Sequence, residues 1–119
     1  RNRLFYKDNK VDWITGDVFE EYRDMFDTAD IFINTSCEHM LSMKEWGPSL
    51  IYKRPWWTRV KSSAHFAFTS NNMFDIPGHI NCVNDIEEFK GQLPDKSKVL
   101  IEDKIKDERG TRYLLIGKL

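Results

Sequence analysis

The residue order predicts an α/β protein with a mostly parallel sheet, helices on both faces and a C-terminal antiparallel hairpin. Three observations carry this. Short apolar runs of strand length alternate with stretches of helical spacing. One run, Ile31-Phe32-Ile33, is apolar without interruption, as in a strand covered on both faces. Near the C-terminus two runs flank Asp107-Glu108-Arg109-Gly110, a hairpin turn signal.

Taken in order, Val11-Asp12-Trp13-Ile14-Thr15 alternates apolar and polar residues and reads as a short strand closed by Gly16-Asp17. Asp17 is placed to cap a helix carrying Val18, Tyr22, Met25 and Phe26 at helical spacing, with Glu20 and Glu21 in its first turn. Ala29 to Asn34 is the second strand. Glu38 to Trp46 fits a short helix with Met40, Leu41, Met43 and Trp46 mostly on one side, stopped by Gly47-Pro48. The stretch from Ser49 to Ser63 has no clean period and is broken by Pro55. His65 to Thr69 is a third strand, ending in Ser70-Asn71-Asn72. After the turn Pro77-Gly78, Ile80 to Val83 has the composition of a short strand. Asn84 or Asp85 caps a helix that turns Ile86, Phe89 and Leu93 inward. Val99 to Ile105 and Thr111 to Gly117 form the closing hairpin, with Tyr113 and Leu115 on one face.

The chain's 119 residues amount to one domain, and 40% hydrophobic with 13% aromatic residues is enough for a real core. A net charge of -1 argues against a dedicated nucleic-acid binder, which is usually basic over the whole domain. Two cysteines, Cys37 and Cys82, make no disulfide framework, and a reduced, cytoplasmic setting is expected. No apolar run approaches the roughly 20 residues that span a bilayer.

The densest chemistry follows the second strand. Asn34-Thr35-Ser36-Cys37-Glu38-His39 gathers an amide, two hydroxyls, a thiol, a carboxylate and an imidazole where α/β proteins place their ligands. Glu38 and His39 are candidates to remove a proton. The same residues also suit a helix start, with Glu38 favoured by the dipole. Cys37 and His39 with His79 and Cys82 include enough ligand types for tetrahedral zinc. Their Cys-x-His and His-x-x-Cys spacing is unlike the usual pattern, so no metal site is predicted. Lys53, Arg54, Trp56, Trp57, Arg59 and Lys61 form a basic-aromatic segment that suits bases and phosphates, another acceptor, or anchorage of a loop on the core. Ser70, Asn71 and Asn72 either shape a pocket or make turn hydrogen bonds.

Taken together, these segments resemble the C-terminal half of a class I S-adenosylmethionine-dependent methyltransferase. Ile14-Thr15-Gly16-Asp17 resembles the end of that family's third strand, Asp30 to Ser36 its fourth strand and catalytic loop, and Phe66 to Asn72 its fifth strand. The hairpin from Val99 to Gly117 resembles its antiparallel edge. Asn34 to Met40 with His79-Ile80-Asn81-Cys82-Val83 is similar to methyltransferase-like proteins of bacteria and marine phages. The family's glycine-rich turn has no counterpart here, and neither does the acidic residue that would hold the cofactor ribose. The chain is therefore expected to be a portion of a longer domain.

The resemblance implies a Rossmann-like fold and S-adenosylmethionine as cofactor. It implies Asp17 and Asn34 as cofactor-binding residues and Asn34, Glu38 and His39 beside a methyl acceptor; Trp56, Trp57, Arg59, Ser70, Asn71 and Asn72 are expected, from their own chemistry, as substrate contacts. The competing expectation is a non-catalytic binding or assembly module. A truncated sheet would expose an edge through which copies of the chain self-associate.

Overall fold

A computed structural model describes residues 15–16, 26–46 and 56–119. Its described strands are β1 (Ile31–Asn34), β2 (His65–Asn71), β3 (Lys98–Lys106) and β4 (Thr111–Lys118), with one α-helix, α1 (Ile86–Lys90). They form a single four-stranded sheet in the order β1-β2-β4-β3. β1 and β2 are parallel, with Phe32 beside Phe66 and Asn34 beside Phe68. β2 and β4 are antiparallel, pairing Phe68 with Leu115 and Ser70 with Tyr113. β3 and β4 form the expected hairpin, closed by Asp107, whose Oδ1 accepts from the amides of Arg109 and Gly110.

The mostly parallel sheet with helices on both faces is overturned. Two of the three strand pairings are antiparallel, and among the described residues only α1 is an α-helix. Three features correct the sequence expectation. The strand expected at Ile80 to Val83 is not a strand. β1 is not covered on both faces: Ile31 is 61% and Ile33 71% exposed. The helix expected over Glu38 to Trp46 is instead two 3-10 turns, Cys37–His39 and Met43–Glu45, with extended backbone at Met40. The strand expected at Val11 to Thr15 and the helix after Asp17 lie outside the described residues, save that Thr15 is not in a strand.

The failed helix has a physical cause. Helix propagation would use the carbonyls of Cys37 and Glu38 for amides four residues on. Asn81 Nδ2 donates to the Cys37 carbonyl, and the amides of Ile80 and Asn81 donate to that of Glu38. The Met43 amide donates to Gln92 Oε1, and the Trp46 indole donates to the Leu41 carbonyl. Tertiary partners thus satisfy the backbone groups that a helix would have satisfied locally.

The core lies on one face of the sheet. Phe66 and Phe68 of β2 and Tyr113 and Leu115 of β4 point into it, where Cys37, Met43, Trp46, Val83 and Phe89 meet them. Trp46 packs edge-on to Phe68 at 5.6 Å between ring centres. α1 is held against this face by Phe89, and its start is capped by Asp85 Oδ1, which accepts from the Glu88 amide.

Candidate functional site

The parallel pair β1 and β2 directs two chain segments to the same end of the sheet, and the β3–β4 hairpin closes the side. Between them lies a cavity of about 460 Å³. Its walls include Thr35 and Glu38 after β1, Ser70 and Asn71 at the end of β2, His79 beyond it, and Tyr113 of β4. Lys104, Arg109 and Arg112 bring three cations to it against the one further carboxylate of Asp103.

Glu38 is the central group. It is 8% exposed, and its Oε2 is buried without a hydrogen-bond partner. An ionised carboxylate in that position costs free energy unless something pairs with it. Its Oε1 lies 3.9 Å from His39 Nε2. The ring of His79 meets that of His39 edge-on at 4.5 Å.

Each imidazole is oriented by a backbone carbonyl. His39 Nδ1 lies 3.0 Å from the Gly78 carbonyl, and His79 Nδ1 lies 2.9 Å from that of Met73. A carbonyl oxygen only accepts, so Nδ1 is the donor in both contacts; Cys82 Sγ also lies 3.5 Å from His79 Nδ1. The turn that presents the first carbonyl needs φ of 86° at Gly78, a left-handed conformation natural to glycine. Below the rings, Asn81 and Gln92 exchange hydrogen bonds at 2.9 and 3.1 Å and tie the His79 segment to α1 and to the turn bearing Glu38.

The remaining predicted residues divide. Asn34 ends β1, but its amide is satisfied locally: Oδ1 accepts from the Ser36 amide and Nδ2 approaches Met40 Sδ. Ser70 and Asn71 are buried on the cavity wall. Asn71 Oδ1 also accepts from the Met73 amide and the Cys82 thiol. Asn72 serves the hairpin, accepting from the Thr111 amide at 2.7 Å. Trp57 packs against the core and Arg59 pairs with Asp27 at 3.2 Å, so neither reaches the cavity; Trp56 begins the same 3-10 turn. Asp17 lies outside the described residues.

The thiols do not join the imidazoles as a ligand set. Cys37 is fully buried in the core, and its thiol is pushed up to about 12 by burial and then by the negative charge of Glu38. Cys82 is raised too, by the same two causes in the same order. Among the described residues the metal-ligating atoms that converge belong instead to Glu38, His39 and His79.

Sequence reading did not place Lys104, Arg109, Arg112 and Tyr113 at the site; Arg109 reads as turn and Tyr113 as the inner face of a strand. Their placement follows from strand register, which sets Arg112 opposite Asn71 and Tyr113 opposite Ser70. His79 carried a signal, its neighbourhood to Cys82, whose Sγ lies 3.5 Å from its Nδ1, and it also stands beside His39 and Glu38.

No family model, curated protein or solved structure matches this chain. Among the described residues no helix is long and apolar enough to cross a membrane.

Proposed function

We propose that this chain supplies the acceptor side of an S-adenosylmethionine-dependent methyl transfer, binding a small anionic acceptor in the cavity and taking its proton at Glu38. One observation carries the reading: a buried carboxylate with an unpartnered oxygen stands on the wall of a cavity beyond the carboxyl end of a parallel strand pair. Such an oxygen is positioned to accept a hydrogen bond, and then a proton, from a hydroxyl or amine. Lys104, Arg109 and Arg112 on the cavity wall favour an acceptor with a phosphate or carboxylate group. Seating such an acceptor against Glu38 is the chain's main contribution, through position.

The cofactor would supply the electrophilic methyl group. Among the described residues nothing cradles it: Asn34 is satisfied within its own turn, and no glycine-rich turn borders the cavity. Its contacts would fall to residues outside the described set, Asp17 among them, and no step through it is derived. Titration of the chain with S-adenosylhomocysteine in a calorimeter tests the reading. Saturable binding tighter than about 1 mM, roughly -4 kcal/mol, is expected, with loss on Asp17→Ala. Absence of binding overturns it.

A second reading, a non-catalytic assembly module, is favoured by the exposed apolar side chains of β1 and β3, including Ile33 and Ile101. A stable dimer in light scattering, with no response to S-adenosylhomocysteine, would put it first.

A further inference from the structure

We propose that Glu38, His39 and His79 form a three-ligand site for a divalent transition-metal ion of the zinc class on the wall of the cavity. One ligand atom from each of the three lies within 4.8 Å of the others. A carboxylate with two imidazoles is a donor set suited to Zn²⁺, Fe²⁺ or Co²⁺ and unsuited to Mg²⁺ or Ca²⁺, which prefer oxygen alone. Three protein ligands leave a coordination position for water or an acceptor atom.

Two observations beside the convergence itself point to an ion. The first is Glu38 Oε2, buried without a hydrogen-bond partner while Oε1 reaches only His39 Nε2 at 3.9 Å. A cation beside it would offset the cost of burying that carboxylate. The second is the outer arrangement of both imidazoles. Each donates Nδ1–H to a backbone carbonyl, Gly78 for His39 and Met73 for His79, which orients the ring and leaves Nε2 as the ring atom an ion could take. Metal-ligating histidines are characteristically oriented in this way.

The geometry is close to what binding requires. Ligand atoms around tetrahedral zinc, at about 2.0–2.1 Å from the ion, lie roughly 3.4 Å apart. Glu38 Oε1 and His39 Nε2 are already 3.9 Å apart. Closure of the whole set calls for side-chain movement of roughly an ångström, and His39, the most exposed of the three, is the freest to move. The Ile80 and Asn81 amides donate to the Glu38 carbonyl at 2.8 and 3.0 Å and hold the Glu38 backbone beside the His79 segment. An ion here would carry the cavity's largest local charge and would acidify whatever hydroxyl or water it held.

The test needs neither cofactor nor acceptor, so it succeeds or fails independently of methyl transfer. The metal-free full chain is titrated with Zn²⁺ against a chromophoric chelator, and Co²⁺ is used as a spectroscopic probe. One equivalent of Zn²⁺ should bind, with affinity falling by about 100-fold or more in Glu38→Gln and in His79→Gln. Circular dichroism reports whether each variant remains folded. The Co²⁺ spectrum of the unaltered chain should show four- or five-coordinate d–d bands without a thiolate charge-transfer band, a readout that survives if a variant unfolds. Absence of binding below about 1 mM, unchanged affinity in both folded variants, or a thiolate band from Cys37 or Cys82 would overturn the site.

Discussion

The two faces of the sheet start from the same kind of sequence and end differently. On one face, Phe66, Phe68, Tyr113 and Leu115 are buried beneath α1, the Cys37–His39 turn and Trp46. On the other, the register lines up Ile33, Ala67, Ile116 and Ile101 in a row across all four strands. None of that row is buried, and its ends are 71% and 54% exposed at Ile33 and Ile101. Alternation therefore marks a strand without saying which of its faces carries the core. The energetic weight of an apolar residue comes from what packs on it, not from its hydropathy.

The largest break in this comparison should come from Phe68→Ala. The side chain is 1% exposed and touches both Trp46 and Phe66, so truncation should cost about 3–5 kcal/mol in urea unfolding. Loss of less than about 1 kcal/mol would show that the face is not the core.

Alkaline pH probes the same face through Cys37. Its folded-state value of about 12 stands above the 9.0 of an ordinary thiol. The unfolded chain thus releases the proton first. The contribution is fully present below about pH 9 and declines between 9.0 and about 12, by up to ~1.4 kcal/mol per pH unit. Comparing urea midpoints of the parent and Cys37→Ala across alkaline pH should reveal this slope in the parent and its absence in the variant.

A smaller effect attaches to the element that covers the face. Asp85→Ala removes the oxygen that accepts from the Glu88 amide at 2.7 Å and should cost about 1 kcal/mol, with Asp85→Asn retaining most of it. Smallest of all should be Ile33→Thr on the bare face, within about 0.5 kcal/mol of the parent. A cost above about 2 kcal/mol would mean that something packs on that row, and the contrast between the faces would collapse.

Much of the sheet was legible in the chain because its signals are short-range. Asp107 and Gly110 announce the hairpin turn, Asp85 announces α1, and alternation at Tyr113 and Leu115 gives the inner face of β4. The site was legible in part. Glu38 and His39 stood out as a polar cluster after an apolar run, and Ser70 and Asn71 as a strand end. Asn34 drew the same attention, but its amide answers Ser36 and Met40. Trp57 and Arg59 drew it for their chemistry, yet one packs on the core and the other pairs with Asp27. Local composition names reactive groups but does not reveal which neighbours will satisfy them.

The chain by itself determined the strands near residues 31–34, 65–71, 98–106 and 111–118, where the hairpin turns, and that a helix starts after Asn84 or Asp85. Each depends on residues only a few positions apart, through φ preferences, side-chain alternation and capping hydrogen bonds. Only the tertiary structure decided that Glu38 to Trp46 would not be a helix and that His79 would stand beside His39 and Glu38. It also decided that Arg112 and Tyr113 would close the cavity over Asn71 and Ser70. Those outcomes rest on hydrogen bonds and register between segments some forty residues apart, such as Asn81 to Cys37, 44 positions away, and Met43 to Gln92, 49 positions away. Their partners become neighbours only once the sheet has formed.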